Sequence, residues 1–480
     1  MKDRDWQIAL FGTFDVENYG DLLFPLIAEA ELTERLGSIT LHRFSYHAKT
    51  PPDWPYTVTS MSELPRIASS LDGALIGGGF IIRFDKEVAP GYGPPTPTIH
   101  HPTGYWLTPA LIALQHGIPV MWNAPGMHCN DIPAWADPLM ELVLENSRYI
   151  SVRDKLSQAA LARFIDKSRL IVMPDTGFGV SRLVDERRPS LEFSRLREAS
   201  GLTEPYILVQ AVRGLEPFLS FVRNHSRRLR DFRFLVLPMG PVLGDHESIV
   251  GDDLPGLVRL PTWPHPLVLA ELISQAAAVV GLSYHMSITA LACGVPVFTS
   301  ADLAVGKYTA LSDFETVYAL PAETTTDAQQ FTARLGKTAP SAKARAALDQ
   351  LSYHWDRIAT IIREGETPTD GALNRFWQTL PGLLETAATR YDDVVRASES
   401  RSAELQRRID AQQAEASSAL EMLNAERQGR IDELHRLLAL ARAEIVARDD
   451  RIAGLYESPS WKVTAPARFL MRNLKRLVGK

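Results

Sequence analysis

Five short stretches hold the residues able to do chemistry, and each leaves the end of an apolar run. The sharpest is Val279-Val280-Gly281-Leu282-Ser283-Tyr284-His285, continued by Met286 to Cys293 and Gly294-Val295-Pro296. It reads as a strand ending at Gly281, an imidazole at the entry to a short helix, and a Gly-Val-Pro that closes that helix and opens the next strand. His285 so placed faces a cleft, where an imidazole serves as general acid or base, although a packed structural histidine is the commoner use of such a residue. Arg153, in Ser151-Val152-Arg153-Asp154, and Arg213, in Val209-Gln210-Ala211-Val212-Arg213-Gly214, stand where strands end, the place from which a guanidinium meets phosphate or carboxylate. A surface ion pair is the alternative for Arg213, and Asp154 reads as the cap of a helix beginning at Lys155.

The two remaining stretches are glycine-bearing turns. In Phe11-Gly12-Thr13-Phe14-Asp15-Val16-Glu17-Asn18-Tyr19-Gly20-Asp21, Gly12 and Gly20 permit close backbone approach, and Asp21 is placed to cap a helix whose free N–H groups favour an anion or sugar hydroxyls. A plain strand-to-helix turn explains the same residues. Gly77-Gly78-Gly79 follows an apolar run, where amides without intervening Cβ atoms can line a cleft or simply make a tight strand exit. Ala89 to Thr98 and the adjoining His100-His101 read as a loop over that cleft, and Asp175, after Met173-Pro174, as a turn residue. No metal site is expected: Cys129 and Cys293 lie far apart and outside any metal-ligand pattern.

Positioning these residues requires a scaffold of alternating strands and helices. Apolar runs at Ile8–Phe11, Gly73–Ile76, Ile118–Trp122, Arg148–Val152 and Leu170–Met173 alternate with helical patterns, which indicates a parallel sheet covered on both faces over residues 1–180. A polar Arg- and Glu-rich stretch, Ser181–Ser200, precedes a second such series over residues 200–340: Tyr206–Gln210, Phe232–Pro238, Leu257–Leu260, Val279–Gly281 and Val295–Thr299. Two α/β domains of the Rossmann-like type in tandem enclose a cleft at the carboxyl ends of their strands. Residues 341–396 read as helices that close the second domain or return to the first.

Over 398–456 Gly and Pro nearly vanish, and Ile431, Leu438, Ile445 and Ile452 recur every seven residues beside Leu434, Ala441 and Leu455, the seam of a coiled coil that offers a homo-oligomer contact. Arg427 and Arg448 interrupt it. Residues 457–480 form a basic amphipathic tail, with Phe469, Leu470, Leu474 and Leu477 alternating with Arg472, Lys475, Arg476 and Lys480, suited to peripheral contact with an anionic membrane. The net charge of -6 argues against nucleic acid as a general partner. Two cysteines, no basic leader before an apolar core, and no long uncharged apolar run together give the expectation of a cytoplasmic protein.

Taken in order, Asn18-Tyr19-Gly20-Asp21, Gly77-Gly78-Gly79, Ser151-Val152-Arg153-Asp154, Pro174-Asp175, and His285 with Ala290 and Gly294-Val295-Pro296 resemble the polysaccharide pyruvyl transferase family over Ile8 to Ser300. The resemblance implies a GT-B-like arrangement of the two domains. It also implies transfer of pyruvate from phosphoenolpyruvate to a saccharide, lipid-linked or polymeric, with no further cofactor. His285 matches the family's active-site histidine, and Arg213 resembles the arginine that helps hold the anionic donor. One departure stands out: Ser283, followed by Tyr284, occupies the place where the family commonly has arginine, and a lost cation there removes about 1.5–3 kcal/mol of charge-assisted bonding. That departure leaves two other readings open, a nucleotide-sugar glycosyltransferase and a transferase-like scaffold. The segment Ser458-Pro459-Ser460-Trp461-Lys462-Val463-Thr464-Ala465-Pro466-Ala467-Arg468 resembles one found beside coiled coils in surface-polysaccharide glycosyltransferases.

Overall fold

The computed structural model describes residues 4–84, 102–127, 132–185, 187–202, 204–365 and 370–478. His100, His101, Cys129, Lys480 and the stretch Ala89–Thr98 lie outside them. Among the described residues one parallel sheet contains β1 (Trp6–Phe11), β2 (Ile39–Ser45), β3 (Thr59–Ser60), β4 (Gly73–Ile76), β5 (Val120–Trp122), β6 (Tyr149–Val152) and β7 (Leu170–Val172), in the order β3-β2-β1-β4-β5-β6-β7. A second contains β8 (Tyr206–Gln210), β9 (Arg233–Leu237), β10 (Leu257–Arg259), β11 (Ala278–Val280), β12 (Val297–Thr299) and β13 (Val317–Ala319), in the order β10-β9-β8-β11-β12-β13. Every pairing within these sheets is parallel.

Each sheet therefore grows outward from its first strand and then resumes on that strand's other side. The order reverses between β1 and β4 and again between β8 and β11, and crevices at such reversals are where open α/β sheets take ligands. The turns read as chemically able in the sequence leave the carboxyl ends of β1, β4, β8 and β11. Strand β2 escapes the apolar-run reading because the polar, half-exposed His42 and Arg43 separate its buried Leu41 and Phe44. The polar stretch before the second domain contains the helix Leu191–Ala199, capped by Ser190 Oγ, which accepts from Phe193 N at 3.1 Å, and anchored by the buried Phe193.

The two domains share a core. Tyr19, Leu22, Phe24 and Ile27 of helix Tyr19–Leu36 belong to the same buried cluster as Tyr284, Met286, Ile288 and Leu291 of helix Tyr284–Ala292. Residues Met1–Leu384 are accordingly one unit. Helix Ala342–Glu364 returns to the first domain, burying Leu351, Trp355, Ile358 and Ile362 in that cluster. His354 Nε2 donates to Asn123 Oδ1 at 2.9 Å while Nδ1 accepts from the Tyr149 hydroxyl at 2.9 Å, an arrangement that requires a neutral ring. Burial pushes the His354 pKa down to about 3. Cys293 is a buried free thiol whose pKa burial pushes up to about 12.

The second unit, Glu385–Lys480, is helical: the greater part of helix Asp370–Glu457, then Pro459–Val463 and Ala465–Val478. The heptad residues Ile431, Leu434, Leu438, Ile445, Ile452 and Leu455 are exposed. Among the described residues no helix is long and apolar enough to cross a membrane.

Candidate functional site

The turn that carries His285 is fixed by hydrogen bonds before any ligand arrives. Gln210 Oε1, at the end of β8, accepts from Leu282 N at 2.7 Å and from Ser283 N at 2.6 Å. Its Nε2 donates at 2.7 Å to Asp245 Oδ2, which also accepts from Met239 N and Gly240 N, each at 2.9 Å. Ser283 is the N-cap of helix Tyr284–Ala292, its Oγ accepting from Met286 N at 3.3 Å. The serine thus has a local structural duty at the position where an arginine is common.

The glycines of the first domain make room for the imidazole. A Cβ on Gly20 would fall 1.9 Å from His285 Nδ1, so only glycine lets the ring seat against the start of helix Tyr19–Leu36. The His285 ring stands edge-on to Phe24, 5.2 Å between centroids, and a Cβ on Gly78 would meet that Phe24 ring at 2.4 Å. Gly77, Gly78 and Gly79 all have positive φ, +130°, +93° and +76°. Gly20, Gly77 and Gly78 lie behind the cleft wall against protein atoms, whereas Gly79 reaches the wall itself. Asn18, not Asp21, caps the helix: its side chain accepts from Gly20 N at 3.2 Å, since the residue one turn earlier alone has the extended backbone a cap requires. Asp21 sits in the first turn and lines the cleft.

Asp175 joins the two domains. Its Oδ1 accepts from Gly177 N at 2.8 Å, capping the turn Thr176–Arg182, while Oδ2 accepts from Arg153 Nη1 at 3.0 Å and lies 3.5 Å from His285 Nε2. Burial pushes this carboxyl up, but the charges of His285 and Arg153 and the Gly177 N–H outweigh it and hold the carboxyl well below the usual range. The turn role expected for Asp175 is present, and a bridging role is added to it. The Arg153 guanidinium lies 4.0 Å over the Phe80 ring and 5.1 Å over the Tyr284 ring. Asp154 caps helix Lys155–Leu161 through Ser157 N, at 2.7 Å. Two buried nitrogens at this junction, Arg153 Nη2 and His285 Nε2, make no hydrogen bond among the described residues, the approach of His285 to Asp175 being an ion-pair distance only.

These groups line a cleft of about 850 Å³, whose wall includes Asn18, Asp21, Gly79, Arg153, Ser283, Tyr284 and His285. Arg213 is exposed beyond the end of β8 and is not on that wall. Arg83, Asp245 and Lys307 are on it, and no sequence motif marks them. Lys307, half-buried in the turn Gly306–Leu311, has its pKa pushed down to about 8 by burial and by the Arg153 charge, against the pull of Asp21 and Asp175. Its one sequence signal is a place after the carboxyl end of β12, eight residues beyond Thr299.

Two Rossmann-like domains meeting over a cleft lined by an imidazole, guanidinium and ammonium groups and the carboxylates of Asp21, Asp154 and Asp245 define a GT-B-like α/β protein. The chain belongs to the polysaccharide pyruvyl transferase family, whose model matches residues 18–301. No curated protein matches the chain. Among solved structures it is similar to UDP-GlcNAc 2-epimerase from Neisseria meningitidis bound to UDP-GlcNAc, with 14% identity and a TM-score of 0.45 over 78% of this chain and 99% of that one. It is also similar to UDP-GlcNAc 2-epimerase from Methanocaldococcus jannaschii, with 10% identity and a TM-score of 0.45 over 73% of this chain and 100% of that one.

Proposed function

We propose that this chain transfers a pyruvyl group from phosphoenolpyruvate to two hydroxyls of a saccharide in surface polysaccharide biosynthesis. The observation that carries the reading is the unsatisfied pair, Arg153 Nη2 and His285 Nε2, buried on either side of Asp175 and beside Lys307. Buried donors without acceptors are rare in folded chains, and an anionic ligand supplies what they lack.

The donor's phosphate and carboxylate need two cations, and Arg153 and Lys307 provide them; Lys307 stands in for the cation that Ser283 does not supply. His285 in its protonated form gives its proton to the methylene carbon of the donor, which becomes a methyl group. Electron deficiency develops at the adjacent carbon, where a sugar hydroxyl oxygen bonds and its proton passes to a carboxylate such as Asp21. The phosphate then leaves with its bonding electrons, and the second hydroxyl closes the ketal with loss of its proton.

The test is incubation of the full chain with phosphoenolpyruvate and a saccharide acceptor, followed by mass spectrometry of the acceptor and assay of released phosphate. A pyruvyl ketal and stoichiometric phosphate, both lost in His285→Ala, are expected. Addition of a hexose from a nucleotide sugar, or no transfer from either donor, would overturn the reading.

A further inference from the structure

We infer that the C-terminal helix Ala465–Val478 is a docking surface for an anionic lipid membrane, in whose interfacial plane it lies. Two independent properties of the segment meet that partner and no other equally well. The first is charge: from Ser458 to Lys480 the sequence holds Lys462, Arg468, Arg472, Lys475, Arg476 and Lys480 and no acidic residue, in a chain of net charge -6. The second is an apolar face left exposed among the described residues. Leu470, Met471 and Leu474 are 62%, 63% and 51% exposed. At about 100° per residue they share one arc, with Arg468 and Arg472 on the opposite one.

A nucleic acid would engage the cations and leave the leucines in water. A second copy would bring one uniformly cationic segment against another. An anionic bilayer takes both faces at once, the apolar arc at the acyl boundary and the guanidinium groups among headgroups. The junction ahead of the helix supports this geometry. Ser458 Oγ accepts from Trp461 N at 3.3 Å, and Arg468 lies 3.5 Å over the Trp461 ring while its Nη1 donates to Thr464 Oγ1 at 2.6 Å. Arg468 is thereby engaged in holding the junction, and Trp461, 5.1 Å from Tyr456, gives the aromatic pair that favours the headgroup region. Exposed Arg472 is left to meet lipid.

The experiment is vesicle flotation of the full chain with phosphatidylcholine alone and with added phosphatidylserine, at about 0.1 M and about 1 M salt. Binding is expected only with phosphatidylserine and only at low salt. Arg472→Glu, a change of two charges, lowers that binding about thirtyfold. Leu470→Glu with Leu474→Glu abolishes it, with circular dichroism and thermal unfolding unchanged. Equal binding to neutral vesicles, no flotation with either lipid, or full binding by the double variant would overturn the proposal. So would a concentration-dependent mass increase, without flotation, that the double variant removes, since the face would then be covered by a second copy.

Discussion

Asp175 Oδ2 lies 3.5 Å from His285 Nε2, so a carboxylate from the first domain faces the imidazole of the second at ion-pair distance. The same oxygen accepts from Arg153 at 3.0 Å, which makes the catalytic candidate and the anion-holding candidate depend on one buried group. Closure of the two domains and assembly of the site are therefore the same event, since Gly20, Phe24 and Asp175, which meet the imidazole, belong to the other half of the molecule.

Replacing Asp175 with Asn leaves buried Arg153 without its nearer counter-charge, a change that costs about 3 kcal/mol at neutral pH. The sign of the pH dependence follows from the carboxyl's depressed folded pKa. Its contribution is complete above the unfolded value of about 3.9 and is lost as pH falls through the lower folded value. Urea unfolding of both proteins should show a gap that is constant from pH 7 to about 5 and narrows below about 4. A gap that does not change on acidification would contradict the pairing.

Gly20→Ala should damage chemistry more than stability. The added methyl claims the space of the His285 ring, 1.9 Å from Nδ1, and the ring has open cleft on its far side into which to move. An unfolding cost of about 1–3 kcal/mol accompanies such overpacking. Displacement of the reacting group by about 1 Å lowers turnover about a hundredfold. Turnover within a few-fold of the unsubstituted chain would mean that the ring position does not matter.

What could be read from the sequence was whatever is written in contiguous residues. The strands β1, β4, β8 and β11, the turns after them and the helix entry at His285 are each local patterns of apolar runs, glycines and caps. Gly20 and Gly78 were recognisable as places where a Cβ is not tolerated, but nothing local says that a protein side chain, rather than a ligand, fills the space. Lys307 is a single cation in an unpatterned turn, and its proximity to Arg153 exists only once β12 is placed beside β11. The bridging by Asp175 is hidden for the same reason, because its partners are separated from it by 22 residues in one case and by a domain in the other. Arg213 shows the converse: a strand-end arginine with the right type and neighbourhood in sequence, which the path of the chain beyond β8 leaves on the surface.

Donor binding should therefore follow Lys307 and Arg153, not Arg213. In calorimetric titration with phosphoenolpyruvate, Lys307→Met and Arg153→Ala each weaken binding about 10- to 100-fold, the worth of one charge-assisted contact. Arg213→Ala leaves it within about twofold. Lys307 in the free protein is charged below its pKa of about 8 and neutral above it, so affinity declines as pH rises past that value. Lys307→Arg keeps its charge at all working pH and should remove the decline. An unaltered pH profile in Lys307→Arg would assign the titration to another group.

His354, on the return helix Ala342–Glu364, ties the stability of the fold to pH. The folded chain holds this ring neutral down to about pH 3, whereas the unfolded chain protonates it below about pH 6.5. Between those values the unfolded state binds the extra proton, so acidification favours unfolding, and the stability contributed by the neutral ring is present above about pH 6.5 and lost below it. His354→Gln removes the titrating group. The variant should be less stable at pH 7 by about 1–3 kcal/mol, because the Tyr149 and Asn123 partners lose their geometry. Its stability should also fall less steeply than that of the unsubstituted chain from pH 6.5 to 5, and identical slopes in thermal unfolding over that interval would place the acid sensitivity elsewhere.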